Sequence, residues 1–302
     1  MKLTYKIIII SIIFLIIFLF VLRDNYHTIT PNLDNFIIYS KTFNSSKPYL
    51  WQYWEGPMPA YIKLCLDTVD KHCSNNFTIK ILNESNIKEY LPELKDYEDK
   101  LSQLIIPHKV DIYRIMLLYK YGGIYLDVDI IVLRNPYEII EKLTKFNYDF
   151  VGFGCTGNKC KNGYGKPSNW LLASKPNTLL MANILKNLLG KLAKLGRDKK
   201  KTEYHDFGKL VIWNELDKLM KDGYSYYHYP NTIDGTRDID GLWVDSSRIF
   251  SDENIKYDNE ENMMFLILYN SEIDDFIKKL SKNELLNKNW LYSKFIKKSL
   301  TL

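Results

Sequence analysis

Asp127 and Asp129 are the residues from which chemistry is most readily built. They stand one residue apart where the apolar run Ile124-Tyr125-Leu126 ends. Such a run reads as a buried strand, and residues i and i+2 of a strand project to one side. The spacing therefore predicts two carboxylates directed into a single site. Carboxylates that close repel each other unless a cation lies between or beside them. Their hard oxygens suit Mn2+ or Mg2+. An ion held there bridges to a diphosphate and neutralises charge on a leaving group.

The residues just upstream add to this. Ile112, Ile115, Met116 and Tyr119 recur at helical spacing, which predicts an amphipathic helix over His108 to Tyr121. Asp111 and Arg114 lie about one turn apart on it and share a face. Arg114 can offer a planar fork to a phosphate or a carboxylate, and Asp111 can accept hydrogen bonds from hydroxyls. Gly122 and Gly123 stop the helix and let the backbone turn tightly and approach a ligand closely. Singly, an acidic triplet, an ion pair and a glycine cap are all common. Their joint order is the informative feature: a charged helix, a glycine stop, an apolar strand, then paired carboxylates.

The elements around this segment predict an α/β domain. Tyr49 to Tyr53 reads as a strand, and Gly56-Pro57-Met58-Pro59 breaks the chain after it. Tyr61 to His72 has helical spacing and Phe77 to Leu82 alternates as a second strand. Strand, helix, strand opens a domain with a mostly parallel sheet flanked by helices. In such sheets ligands bind beyond the carboxyl ends of strands. Tyr148 to Gly154 reads as a further strand, and Thr178 to Leu189 and Val211 to Met220 as helices. After Asp222 the pattern mixes short strands, loops and a lysine-rich end.

The N-terminus reads differently. Ile7 to Leu22 is a 16-residue run whose only polar side chain is Ser11. It approaches the length that spans hydrocarbon, and Lys2 and Lys6 before it keep the N-terminus cytoplasmic. Leu19-Phe20-Val21-Leu22 lacks the small residues of a cleavage site. The expectation is an uncleaved signal anchor over residues 1–23, a stalk over 24–47 and one domain over 48–302. This is a single-pass type II arrangement, attached to a membrane through the N-terminal helix. The domain would then be lumenal, Golgi-like in a eukaryote, or extracytoplasmic. Acceptor sequons at Asn44, Asn76 and Asn83 agree with that side of the membrane. Cys155 and Cys160 either close a small loop by disulfide or remain free thiols. The net charge of +5 is dispersed, apart from Arg197 and Lys199-Lys200-Lys201, which read as a solvated loop. No nucleic-acid-binding motif is present, so no nucleic-acid partner is expected.

The segment from Asp111 to Asp129 resembles the donor-binding core of glycosyltransferases that carry a DxD motif on a GT-A fold. It is most similar to the glycosyltransferase 32 and capsular polysaccharide synthesis types. Trp51-Gln52-Tyr53-Trp54-Glu55-Gly56-Pro57 resembles the first strand of those families, and Ile81-Leu82-Asn83-Glu84-Ser85-Asn86 the end of their second. The likeness covers Leu50 to Pro136 well and Phe150 to Leu180 loosely, and fades beyond Gly190. Lys109-Val110 departs from the small residues that relatives carry before Asp111.

The resemblance implies a Rossmann-like GT-A domain that transfers a sugar from a nucleotide-sugar donor, UDP-linked by preference, with retention at the anomeric carbon. The acceptor would be a glycan, lipid or protein. Asp127 and Asp129 would hold Mn2+ or Mg2+, with Asp129 the direct ligand. Asp111, Arg114, Gly122, Gly123 and Asn169 would bind the donor, and Trp54 would stack on its base. A further metal or phosphate ligand would come from His205, His228, Trp243 or Asp245. Three alternatives remain open: a non-catalytic carbohydrate or nucleotide-sugar binding protein, a metal-dependent phosphohydrolase, and a structural membrane-attached protein.

Overall fold

The computed structural model describes residue 43 and residues 46–154, 166–195, 203–230 and 234–301. The anchor run, most of the stalk, the Asn44 sequon, the Arg197 to Lys201 cluster, Cys155 and Cys160 lie outside the described residues. Among the described residues no helix is long and apolar enough to cross a membrane.

The chain begins as its pattern predicts, with β1 (Tyr49–Tyr53), α1 (Ala60–Cys73) and β2 (Thr78–Leu82). Short helices between residues 87 and 101 lead to α2 (Ile106–Tyr121), then β3 (Gly123–Leu126), β4 (Ile130–Val132) and α3 (Tyr137–Thr144). After β5 (Phe150–Gly154) and β6 (Leu171–Ser174) come α4 (Leu179–Lys194), α5 (Lys209–Lys221) and β7 (Tyr227–Pro230). The C-terminal part contributes β8 (Phe265–Ile267) and α6 (Leu291–Leu300).

The main sheet has the order β2-β1-β3-β6-β5-β7. Only β6 runs against the rest. β4 and β8 form a separate antiparallel ribbon. The carboxyl ends of β1, β2 and β3 thus share an edge with the amino end of β6, where the Asp127 N–H donates to the Trp170 carbonyl at 2.9 Å.

Alternation along the strands divides the core. Trp51 and Tyr125 face α2, α4 and α5, while Leu50, Ile124 and Leu126 face α3 and the opposite layer. A third cluster joins α1, the β4–β8 ribbon and α6. α2 departs from the amphipathic expectation. It is buried around most of its circumference, Asp111, Arg114 and Lys120 included. It is packed between the sheet and α4, so it has little solvent face and its polar residues must find partners inside. Lys120 does so with Glu93, 2.5 Å away.

The glycine pair also departs from expectation. Gly122 (φ +67°) and Gly123 (φ +98°) lie at the amino end of β3, a four-residue strand length (~13 Å) from the Asp127 edge. A Cβ on Gly123 would overlap the Tyr49 carbonyl, and one on Gly122 would sit 2.7 Å from Pro176 Cδ. These glycines allow close approach of backbone to backbone, not of backbone to ligand. Gly123→Ala should therefore cost roughly 3 kcal/mol of stability from strain and overlap, read as a lower urea midpoint. An unchanged midpoint would show that β1 and β3 can separate there without penalty.

Candidate functional site

The site is built around a buried cation. The pattern that sends Tyr125 toward α2 continues to Asp127, so that carboxylate meets the side chain of Arg114. Arg114 is 5% exposed. One of its terminal nitrogens lies 3.2 Å from Asp127 Oδ1 and 3.5 Å from Asp111 Oδ1. The other donates to the Asn169 carbonyl. Its guanidinium carbon sits 4.7 Å from the Tyr125 ring centre. Asn169, at the entry to β6, donates through Nδ2 to Asp111 Oδ1 at 2.9 Å. Asp111, Arg114, Asn169 and Asp127 thus form one connected group.

Asp127, Val128 and Asp129 form a turn between β3 and β4 and not a continued strand. The i, i+2 argument therefore does not hold here. Val128 is buried among α1 and ribbon residues, and the turn around it leaves both carboxylates partly exposed. Asp129 is held from elsewhere: its Oδ2 accepts the Asn270 N–H at 2.7 Å, and its carbonyl accepts the Leu268 N–H at 3.0 Å. The fully buried Tyr61 donates its hydroxyl to the side-chain carbonyl of Asn270.

The charges do not balance. Asp111, Asp127 and Asp129 gather around one guanidinium. Burial, with Asp129 and Asp111 nearby, pushes Asp127 up to about 7, against the opposing pull of Arg114. Burial also raises Asp129, against the Asn270 N–H, and raises Asp111, against Arg114. Burial alone would lower Arg114, but Asp127 and Asp111 outweigh it and hold the guanidinium above its usual range. A region with surplus negative charge and partly exposed oxygen donors at Asp127 and Asp129 fits a hard divalent cation. Such ions are commonly held by one or two carboxylates, with waters and phosphate oxygens completing the shell. Among the described residues no group of three or more His, Cys, Asp or Glu is arranged to hold a metal.

Beside this edge, a cavity of about 400 Å3 opens past the ends of β1 and β2, lined by Trp54, Glu55, Met58, Asn83 and Glu84 among others. Extending the β1–β3 register places Tyr53 opposite Asp127, so Trp54 leaves the sheet one strand from the acidic turn. Its indole is partly exposed, and its Nε1 donates to the Gly56 carbonyl at 3.1 Å.

The remaining candidates separate. His205 sits in the loop before α5, against Tyr204, with its pKa lowered by burial and by Lys209. His228 is half-buried on β7 with no partner for Nε2, and burial lowers it. Asp245 caps the short helix Ser246–Ile249, accepting from the Arg248 N–H and the Ser247 hydroxyl, so its carboxylate is already engaged. Trp243 is exposed beside Arg237 and Tyr269. Asn76 is paired with Asn135, and the Asn83 side-chain oxygen accepts from Ser85 and Asn86.

Several neighbours of the site carry little signal in the sequence. A Cβ on Gly208 would come within 2.7 Å of Asp111 Oδ2 and 2.8 Å of Asn169 Nδ2. Only glycine lets the loop before α5 pass so near. The Tyr204 hydroxyl is raised by burial and by Asp111 and Asp127. Asn270 acts through its backbone, which carries no sequence signal, and Tyr61 is one of 23 tyrosines. Gly208 alone offered a cue, as a glycine opening a helix.

The chain is 25% identical over 166 residues to an uncharacterized glycosyltransferase of Acanthamoeba polyphaga mimivirus, covering 55% of this chain and 57% of that one. It thus spans a little over half of that relative's length. Among solved structures, the PaToxG glycosyltransferase superposes with a TM-score of 0.42 at 18% identity, over 58% of this chain and 70% of the other. The ligand-free glycosyltransferase domain from the YGT toxin gives a TM-score of 0.37 at 10% identity, over 61% and 80%. The model of the capsular polysaccharide synthesis protein family matches residues 19–196, more than half of the chain. By that match, the protein belongs to the capsular polysaccharide synthesis protein family.

Proposed function

We propose that this protein is a metal-dependent glycosyltransferase that moves a sugar from a nucleotide-sugar donor to a carbohydrate acceptor. The observation that carries this is the acidic turn at the carboxyl edge of β3, negatively charged in excess of Arg114 and set beside the cavity walled by Trp54. Family membership supports the same reading.

Asp127 and Asp129 would hold Mn2+ or Mg2+, which when bound stabilises negative charge on the departing diphosphate. Trp54 offers an aromatic face to the nucleotide base, with UDP the preferred donor class. Arg114 and Asp111 are each only 5% exposed, so they act chiefly by fixing Asp127 and Asn169. Asn169 and the Tyr204 loop border the space for the donor sugar. Transfer proceeds with retention, the anomeric outcome being read by NMR of the product. The N-terminal apolar run tethers the domain to a membrane on the non-cytoplasmic side.

Asp129→Asn should keep the Asn270 contact, because the amide oxygen still accepts, yet lower metal-dependent nucleoside diphosphate release by about 100-fold or more. Wild-type rates in this variant would sink the proposal. Trp54→Ala should raise the donor KM roughly tenfold with a smaller change in kcat, as loss of one stacking contact requires. An unaltered donor KM would remove Trp54 from the base site.

The Asp127 carboxyl gives a pH signature. Its folded value of about 7 exceeds the ordinary 3.8, so without metal its stabilising contribution is full below 3.8 and is lost as pH rises through about 7. Metal must displace that proton at acid pH. Apparent Mn2+ affinity should therefore climb about tenfold per pH unit up to about 7 and then level off. Calorimetric titration from about pH 5 to pH 8 checks this, and a flat profile contradicts it.

A further inference from the structure

Beyond β7 the chain builds an exposed aromatic platform next to the acidic turn. Arg237 and Trp243 pair as an antiparallel bridge and close a short hairpin. The hairpin is pinned from three directions. The Leu242 N–H donates to Asp238 Oδ1 at 2.8 Å, the Ile239 N–H to the Lys256 carbonyl at 2.8 Å, and Arg248 to Asp238 Oδ2 at 2.8 Å. The Trp243 backbone is thus pinned, yet its side chain remains 42% exposed, as is that of Leu242 before it at 58%.

Its other neighbours are polar, and one of them, Arg237, also faces the buried Asp234. The Arg237 guanidinium carbon lies 4.8 Å from the Trp243 ring centre. Among the described residues Arg237 forms no ion pair, and its Nε has no hydrogen-bond partner. The Tyr269 ring is 5.0 Å from Trp243, and its buried hydroxyl is also unpartnered. Tyr269 is held in the left-handed region (φ +54°), with its carbonyl 3.1 Å from the Ser246 hydroxyl that donates to it. The next residue is Asn270, whose N–H binds Asp129 at 2.7 Å. The route from the candidate metal pair to Trp243 is therefore Asp129, Asn270, Tyr269, Trp243.

A transferase requires a second substrate close to the reacting centre. The wall for the donor base stands at the ends of β1 and β2, whereas Trp243 is reached from Asp129 through the C-terminal segment. The exposed part of the indole matches the C–H face of a pyranose ring. The ring's hydroxyls, or a carboxylate on it, need donors at the rim, and a guanidinium carries five N–H groups. We propose that Trp243 and Arg237 form the acceptor subsite and receive a pyranose ring of a carbohydrate acceptor. This deepens the transferase reading and rests on it for the word acceptor.

The test uses a panel of methyl hexopyranosides, neutral and uronic, as probes. Saturation-transfer NMR should detect at least one on the wild-type domain. Trp243→Ala should weaken its binding about tenfold, the loss of one aromatic contact, while Trp243→Phe retains most of it. With turnover, the KM for the glycoside should rise about tenfold in Trp243→Ala, and the KM for the nucleotide sugar should move by less than about twofold. Equal binding by wild type and Trp243→Ala overturns the proposal, as does silence across the panel in a folded wild type. A parallel rise in the donor KM also overturns it by placing Trp243 on the donor side. Glycoside binding needs no turnover. A wild type that binds glycosides through Trp243 but releases no nucleoside diphosphate would sink the transferase reading alone and leave the carbohydrate subsite standing.

Discussion

Everything at the acidic edge depends on one buried guanidinium. Arg114 is the cation that allows Asp111 and Asp127 to be brought out of water together, and it also donates to the Asn169 backbone. Breaking a buried pair by removing one partner typically costs ~3–5 kcal/mol, because the other charge is left uncompensated. Arg114 is therefore a structural tie as much as a site residue. It locks α2, the end of β3 and the entry to β6 to one another. One guanidinium cannot balance the nearby carboxylates, and Asp127 is left near neutrality in its titration. Burial raises Asp127 first, and Asp129 and Asp111 add to it against the pull of Arg114.

The second constraint comes from the C-terminal part, beyond the 19–196 span matched by the family model. β8 pairs with β4, and the backbone immediately after β8 supplies the N–H groups that hold Asp129. Tyr61 on α1 reaches the Asn270 side chain, and the Tyr292 hydroxyl donates to the Tyr61 carbonyl at 3.0 Å. α1, β8 and α6 thus converge on one carboxylate. Asp127 is fixed from the family-matched part and Asp129 from the rest, so separating the two parts would loosen the pair even with both aspartates intact.

Within the first hundred body residues the longer elements are legible because each has one dominant environment, whereas the short helices over 87–101 and α3 leave no such pattern. β1, α1, β2 and β3 fall where alternation and helical spacing place them. The failures share a cause. α2 lost its expected polar face because α4 covers it, and α4 is distant in sequence. Gly122 and Gly123 read as a tight turn, and the atoms that demand glycine there are those of Tyr49 and Pro176. Asp245 caps a four-residue helix too short to show any periodicity in the sequence.

By itself the sequence determined the order of elements, the position of the paired aspartates after an apolar strand, and the grouping of Asp111 with Arg114 one helical turn apart. Those are local facts, set by spacing and by the chemistry of each residue. Only the tertiary structure decided that Arg114 is consumed by carboxylates, that Asp127 and Asp129 are oriented by a turn, that Gly208 passes against Asp111 and that Asn270 holds Asp129. These relations act through backbone N–H groups, missing Cβ atoms and long-range burial, none of which leaves a pattern in nearby sequence.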